Sequence, residues 1–281
     1  MSPAATALRL GWARGLIETR QSFTNGADLW SHATWPVLML AVTYFTRDVA
    51  FGSSGFPLGT LALPSILGMN VAFGMVSVSQ HLTADREDGT LLRAKATPNG
   101  MPAYLVGKLV SVSAGLLAEL AVFLVPGLLV VDGLSVGAGS WPTLAWVLLL
   151  GMAASLPIGA VLGSVFATPR AQGLILLPIL GMTAVSGIFY PVSAMPGWLQ
   201  GLAQVFPVYW LGLGMRSALL PGDAAAVEIG DSWRHLETAG VLTAWAVAGL
   251  LAAPFLLRRM ARRESGSSVA ERREKALQRL R

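Results

Sequence analysis

Long runs without charged residues constrain the fold of this chain more than any other feature of its sequence. No Asp, Glu, Lys or Arg occurs between Val49 and Ala84, and Glu119 is the only one between Leu109 and Val131. A helix needs about 20 apolar residues to cross the hydrocarbon of a bilayer, where ionised side chains are costly. Only 12% of the residues are charged, against about a quarter in soluble proteins. The sequence therefore predicts an all-α polytopic membrane protein.

Six apolar segments reach spanning length. They are Leu29–Thr46, Pro57–His81, Ala103–Val131, Trp141–Ala167, Ala171–Tyr190 and Glu237–Leu257. Each contains a proline, which a helix in a membrane bundle tolerates because its neighbours help to satisfy the freed carbonyl. We expect a six-span transmembrane domain over residues 29–257, between an N-terminal segment of residues 1–28 and a basic tail of residues 258–281.

The distribution of Lys and Arg predicts the orientation of the chain. An even number of spans places both termini on one side, and all but three of the 20 Lys and Arg residues then lie on that side. The exceptions are Arg47, Arg216 and Arg234. By the positive-inside rule, both termini and the loop of residues 84–102 are expected in the cytoplasm. The basic pI thus reflects topology and requires no nucleic-acid partner.

Both ends of the chain carry amphipathic patterns. Leu8, Trp12 and Leu16 lie four residues apart, so residues 1–28 are predicted to form a cytoplasmic helix on the membrane surface, with a solvated arm as the alternative. The tail begins with the basic cluster Arg258–Arg263 and can end in a short amphipathic helix. For the tail, a stop-transfer cluster with a frayed end is favoured over a contact with lipid or a partner.

Two segments between spans are predicted to be helical outside the hydrocarbon core. In the charged segment Asp85–Lys108, the opening Asp-Arg-Glu-Asp-Gly-Thr can cap and start a helix. We expect a short surface helix from Gly89-Thr90 to Thr97-Pro98. Residues 191–236 are apolar at first but too broken by prolines for one span. There we expect a helical hairpin in or on the outer leaflet, with Trp and Tyr at headgroup depth, and then a solvated outer loop.

Small residues form a stripe in the fourth span, where they recur every four positions. The stripe consists of Gly151, Ser155, Gly159, Gly163 and Ala167. Such a stripe lets another helix approach closely. A contact inside the same subunit is favoured over an interface between subunits.

The sequence has no phosphate-binding loop of the P-loop type. Its one Gly-Lys pair, Gly107-Lys108, is followed by Leu109 where the motif requires Ser or Thr. We expect no catalytic residue, no metal site and no cofactor on the chain. Glu119 is the only acid in the middle of a predicted span and the only acidic candidate for ion coupling. A hydrogen-bonded Glu119 that faces the bundle and pairs with Lys108 is the structural alternative.

Two blocks of the sequence resemble ABC-2 type transporter permeases, in the branch that includes daunorubicin-type antibiotic exporters. The first block is Asp85-Arg86-Glu87-Asp88-Gly89-Thr90-Leu91, then Thr97-Pro98 and Gly107-Lys108, which resembles that family's first cytoplasmic loop. The second is Ser186-Gly187-Ile188-Phe189-Tyr190-Pro191, then Met195-Pro196-Gly197-Trp198-Leu199, Pro207 and Arg216, which is similar to the block around the fifth span and outer hairpin. Leu92 and Lys95 depart from the family pattern.

The resemblance implies the permease subunit of an ATP-driven exporter in a bacterial plasma membrane, with a hydrophobic or amphipathic substrate such as an antibiotic or a lipid. It implies a homodimer or heterodimer of permeases with two cytoplasmic ATPase subunits, which would hold the ATP and Mg. The residues that match the family's positions for coupling to the ATPase are Asp85, Arg86, Glu87, Gly89, Thr90, Thr97 and Pro98. The outer hairpin would be shaped by Pro191, Pro196, Trp198 and Pro207.

Polar and aromatic side chains in two spans suit a path for an amphipathic solute. They are Asn70 and Phe73 in the second span and Thr183, Ser186 and Phe189 in the fifth. At each position, packing between helices is the alternative. The sequence is also compatible with two other functions. One is a secondary transporter, which only Glu119 supports, and the other is a non-transporting scaffold or sensor.

Overall fold

The computed structural model describes residues 2–49, 57–166, 169–188, 190 and 192–263, and the structural statements below concern those residues. They form an all-helical structure, which confirms the all-α part of the predicted fold class. The α-helices are α1 (Pro3–Thr24), α2 (Gly26–Thr46), α3 (Leu58–Glu87), α4 (Thr90–Lys95), α5 (Gly100–Val130), α6 (Ser140–Val165), α7 (Pro169–Val185), α8 (Gly197–Val205), α9 (Pro207–Leu219) and α10 (His235–Arg263). Two 3-10 turns lie at Val192–Ala194 and Gly222–Val227.

Four of the described helices, α3, α5, α6 and α10, are long and apolar enough to cross a membrane. The chain is therefore a polytopic membrane protein. Two of the six predicted spans correspond to α2 and α7, which do not reach the same length and apolarity within the described residues. The count of six spans stays a prediction.

The loops lie in two groups at opposite ends of the helices. At the start of α3, the Thr60 hydroxyl donates to the carbonyl of Asp132 (2.8 Å), and the nearby Ser135 N–H donates to the carbonyl of Leu219 (2.8 Å). At the other end of α3 lies α4, which contacts both α5 and α10. The charged segment and the basic end of α10 therefore share one end of the bundle.

Helix α3 extends further than the sequence indicated. Asp85, Arg86 and Glu87 form its last turn, so the helix continues past His81, where the predicted span ends, into the predicted loop of residues 84–102. The break comes two residues later at Gly89, whose φ of 81° suits glycine, and the Asp88 carboxylate accepts from the Thr90 N–H (2.7 Å). Helix α4 then ends at Lys95, close to the predicted end at Thr97-Pro98.

Helix α1 packs along the first half of α5 through its small residues. A Cβ on Gly11 would lie 2.6 Å from the Val106 Cβ, and one on Gly15 would lie 2.6 Å from the Val110 Cβ. Only glycine allows an approach this close. The alternative of a solvated arm is therefore wrong, and the apolar residues Leu8, Trp12 and Leu16 are exposed beside the contact. The location of α1 at the membrane surface stays a prediction.

The hairpin before α10 consists of α8 and α9, joined at Phe206. Helix α9 lies between α3 and α6, because Gly68 approaches the backbone of Gly212 and Gly214 contacts Val147. Tyr209 and Trp210 were expected at headgroup depth. Their side chains are instead buried against protein and do not face lipid headgroups. Trp198 in α8 is 72% exposed.

The small-residue stripe of α6 faces helices of the same subunit. Gly151 approaches Leu211 of α9, Gly159 approaches the backbone of Met75, and Gly163 approaches that of Ser79. These neighbours explain why large side chains are absent from the stripe. The favoured contact inside the subunit is confirmed, and Ala167 lies outside the described residues.

Candidate functional site

A buried ion network joins α1, α3 and α5 at the basic end of the bundle. The Lys108 Nζ lies 3.0 Å from Glu18 Oε2 and 2.9 Å from Asp85 Oδ2, and the Lys108 side chain is only 7% exposed. The Tyr104 hydroxyl donates to the same Asp85 oxygen (2.6 Å). One cation on α5 thus holds a carboxylate from each of the two other helices.

Arg14 completes this network on the side of α1. Its Nε donates to Glu18 Oε1 (2.8 Å), and its guanidinium lies 5.0 Å from the ring centre of Tyr104. Burial acts to raise the pKa of Glu18, but the charges of Lys108 and Arg14 outweigh it, so the pKa is lowered from its ordinary value. The carboxylate therefore stays ionised and ties α1 to α5 through charged hydrogen bonds.

The predicted coupling positions divide between the interior and the surface. Asp85 belongs to the ion network, where its side chain is 15% exposed. Glu87, Thr97 and Pro98 are exposed around α4. The remaining positions, Arg86, Gly89 and Thr90, are buried or half-buried. The exposed coupling positions thus flank α4, whereas Asp85 lies in the ion network.

A cavity of about 520 Å³ opens between α2, α3 and α5. Its walls combine apolar, aromatic and polar side chains. They include His32 and Trp35 of α2, Asn70, Phe73, Ser77, Gln80 and His81 of α3, Ser111, Val112, Leu116 and Glu119 of α5, and Leu176 of α7. A site of this volume and mixed lining is of the kind that binds small molecules.

The central polar pair of the cavity is His32 and Glu119. His32 Nδ1 lies 2.7 Å from Glu119 Oε1, and the Ser22 hydroxyl lies 2.9 Å from His32 Nε2. A Cβ at Gly115 would lie 2.9 Å from the His32 ring, so this glycine makes room for the imidazole. The predicted pairing of Glu119 with Lys108 is wrong, because the two are about 16 Å apart along α5 and Lys108 is already engaged.

Asn70 and Phe73, both predicted for the substrate path, line the same cavity. The Asn70 Oδ1 accepts from the Trp35 indole N–H (3.2 Å), whereas the Asn70 Nδ2 is buried and has no hydrogen-bond partner. A buried donor without a partner is costly, and a ligand oxygen would relieve that cost. The structure thus brings Asn70, Phe73 and Glu119 together with His32, which the sequence did not single out.

Thr183 and Ser186, the described path residues of the fifth span, do not line this cavity. The Thr183 hydroxyl donates to the carbonyl of Ile179 (2.8 Å), and the Ser186 hydroxyl donates to that of Thr183 (2.7 Å). Both hydroxyls are satisfied within their own segment, so their structural role is local. Phe189 and Pro191 lie outside the described residues. Of the other hairpin positions, Pro196 is exposed and Pro207 is buried at the start of α9.

Arg216 forms a second buried ion pair at the opposite end of the bundle. Its Nε donates to Glu228 Oε1 (2.5 Å), and its NH1 donates to the Ser65 hydroxyl (3.0 Å) and the Gly187 carbonyl (3.2 Å). These bonds tie α9 to α3 and to the turn after α7. The sequence placed Arg216 on the outer side and in the second block of family resemblance, but it did not indicate this ion pair.

Comparison with known proteins decides which family this architecture represents. A family model described as "ABC-2 family transporter protein" matches residues 37–255. The chain belongs to the ABC-2 transporter family. The resemblance seen in the two sequence blocks is thereby confirmed, and the chain is a permease subunit of an ABC transporter, not an enzyme in its own right.

Two curated relatives of this ABC-2 permease carry drug-resistance names. The chain is 22% identical over 249 residues to the "Probable doxorubicin resistance ABC transporter permease protein DrrC" of Mycobacterium tuberculosis, covering 86% of this chain and 88% of DrrC. It is 26% identical over 199 residues to the "Daunorubicin resistance ABC transporter permease protein DrrB1" of Streptomyces coeruleorubidus, covering 69% of each.

Proposed function

We propose that this ABC-2 permease exports an amphipathic compound, such as an antibiotic or a lipid, with energy from ATP hydrolysed by a separate cytoplasmic ATPase. The observation that carries the proposal is the cavity lined by Phe73, Asn70 and the His32–Glu119 pair. The names of the two drug-resistance relatives support the same substrate class.

The lining of the cavity suits a molecule with an apolar body and one polar or cationic end. Val112, Leu116 and Phe73 provide apolar contact area. A cationic group of the substrate would replace His32 as the partner of Glu119, and a substrate oxygen would accept from the Asn70 amide. Glu119 and Asn70 thereby gain defined roles in orienting the substrate.

Energy would enter at the basic end of the bundle. In this proposal the ATPase subunits, two for a pair of permeases, contact α1 and the exposed Glu87, Thr97 and Pro98, and hold the ATP and Mg. The ion network then transmits their motion to α5 through Lys108. Because α5 also carries Glu119, the same helix links the partner contact to the cavity.

The proposal places both termini in the cytoplasm and uses six spans. The positive-inside rule supports the orientation, since α4 and the basic end of α10 lie together. Helix α2 runs beside α5 from His32, which contacts Gly115, to Leu40, which contacts Gly127. These contacts extend over about 12 Å of α2, whose 21 residues amount to about 31 Å, and this length supports its role as a further span.

A transport assay with paired variants tests the cavity. Glu119→Gln and Asn70→Leu should each lower ATP-dependent uptake of doxorubicin into inside-out vesicles that contain the permease and its ATPase. Thr183→Val is the matched control, because its hydroxyl lies outside the cavity. If both cavity variants transport like the wild type at equal expression, the cavity is not the substrate path.

The His32–Glu119 pair also favours one competing function, that of a proton-coupled secondary transporter. The same vesicles separate the two functions. Uptake driven by a pH gradient without ATP would support the secondary transporter, while uptake that requires ATP and persists after the gradient is collapsed supports the ABC permease.

A further inference from the structure

Two adjoining cavities lie between the α4 segment, the start of α5 and the end of α10. The basic groove, of about 260 Å³, contains Lys95, Arg258 and Arg262 beside the first residues of α5. The apolar groove, of about 310 Å³, lies between α5, α6 and α10 and includes Leu105, Leu109, Pro157 and Leu250. Met101, Pro102 and Arg258 line both, so the two grooves are continuous.

We propose that these grooves form a binding site for one anionic phospholipid, with its phosphate in the basic groove and an acyl chain in the apolar groove. The site lies apart from the transport cavity, since the two share no lining residue. It is therefore a lipid site of the subunit and not a part of the proposed substrate path.

The charges of the basic groove match a phosphate. Arg258 and Arg262 are exposed and lie one turn apart on α10, and no carboxylate occurs among the described residues that line the groove. Two like charges at this spacing repel each other unless an anion lies between them. Guanidinium groups bind phosphate through paired hydrogen bonds, and basic pockets between membrane helices bind anionic lipid headgroups.

The shape of the apolar groove matches an acyl chain. It runs from Met101 to Leu109 on α5 and from Arg258 to Leu250 on α10, which is about 12 Å along each helix. The groove thus leads from the charged end of the bundle toward its apolar middle. A free phosphate would use only the basic groove, whereas a phospholipid uses both, and this continuity is why we assign a lipid.

Thermal unfolding of the purified full-length chain in detergent tests the assignment. Long-chain phosphatidylglycerol should raise the melting temperature, while phosphatidylcholine and inorganic phosphate should not. Replacing both Arg258 and Arg262 by Gln should weaken the apparent affinity for phosphatidylglycerol by roughly fivefold for each arginine removed. Arg9→Gln, which removes an exposed cation on α1, should leave that affinity unchanged.

Two further arms identify what occupies the grooves. Leu250→Gln should weaken binding of long-chain but not of short-chain phosphatidylglycerol, because Leu250 is half-exposed and contacts only the chain. A chain ending at Arg263 should keep the response, since the lipid and not the following acidic and basic residues fills the site. The proposal is overturned if phosphate stabilises as well as the lipid, if the arginine variants respond like the wild type, or if truncation abolishes the response.

Discussion

Replacing Lys108 by Met removes the cation that lies between Glu18 and Asp85. Breaking a buried ion pair by removal of one partner costs about 3–5 kcal/mol, because the other charge is left without compensation. Glu18 keeps Arg14 as a partner, and the Glu18 and Asp85 side chains are 22% and 15% exposed. We therefore expect a loss at the lower end of that range, about 3 kcal/mol. For a chain of this size such a loss lowers the melting temperature by about 6–12 °C.

Intrinsic fluorescence provides the assay, because the chain contains 9 Trp residues. Arg9→Met is the control for loss of an exposed cation and should change the free energy of unfolding by no more than about 0.5 kcal/mol. The decisive variant combines Lys108→Met with Glu18→Gln and Asp85→Asn. It should recover most of the lost stability, since an ion network replaced as a whole costs little.

Two results would refute the reasoning about this network. One is a Lys108→Met variant with the same melting temperature as the wild type, which would mean that the charge of Lys108 does not hold the three helices together. The other is a triple variant that is less stable than Lys108→Met alone, which would mean that the carboxylates stabilise the bundle through other contacts.

Three further predictions concern packing, coupling and orientation. Gly159→Ala should destabilise the purified protein by about 1–3 kcal/mol, because its Cβ would meet the backbone of Met75. Gly240→Ala is the control and should not destabilise it, since its Cβ would meet no atom outside the adjoining turns of its own helix. Glu87→Lys should leave expression near normal but reduce ATPase pull-down and transport, since Glu87 is exposed beside α4; unchanged transport would make the segment a plain loop. Accessibility tags at Asn99 should report cytoplasm and tags at Asp223 the outside; an external Asn99 would overturn the coupling scheme.

The sequence predicted those features that depend on neighbouring residues. Gly89 and Thr90 signalled the start of α4 because a positive φ and a capped first turn are local requirements. The stripe of α6 indicated a close helix contact, because small residues at every fourth position leave room on one helix face for the backbone of a neighbouring helix. The same signal is present in α1 at Gly11 and Gly15, which pack against α5, whereas the prediction for α1 rested on the exposed apolar residues Leu8, Trp12 and Leu16.

The features that the sequence could not predict depend on distant pairs. His32 and Glu119 are 87 positions apart, and Arg216 and Ser65 are 151 apart, so nothing local reports their contact. The Asp85 carboxylate, in the last turn of α3, likewise has its partners Lys108 and Tyr104 on another helix, α5.

The most direct test of the central claim is transport by the assembled complex. Inside-out vesicles should contain this permease with the ATPase that co-purifies with it, and uptake of doxorubicin should be measured with ATP and with a non-hydrolysable analogue. We predict uptake with ATP only, reduced in vesicles that carry Glu119→Gln, and no ATP hydrolysis by the purified permease alone. ATP-independent uptake driven by a pH gradient, or robust hydrolysis by the permease without a partner, would contradict the account.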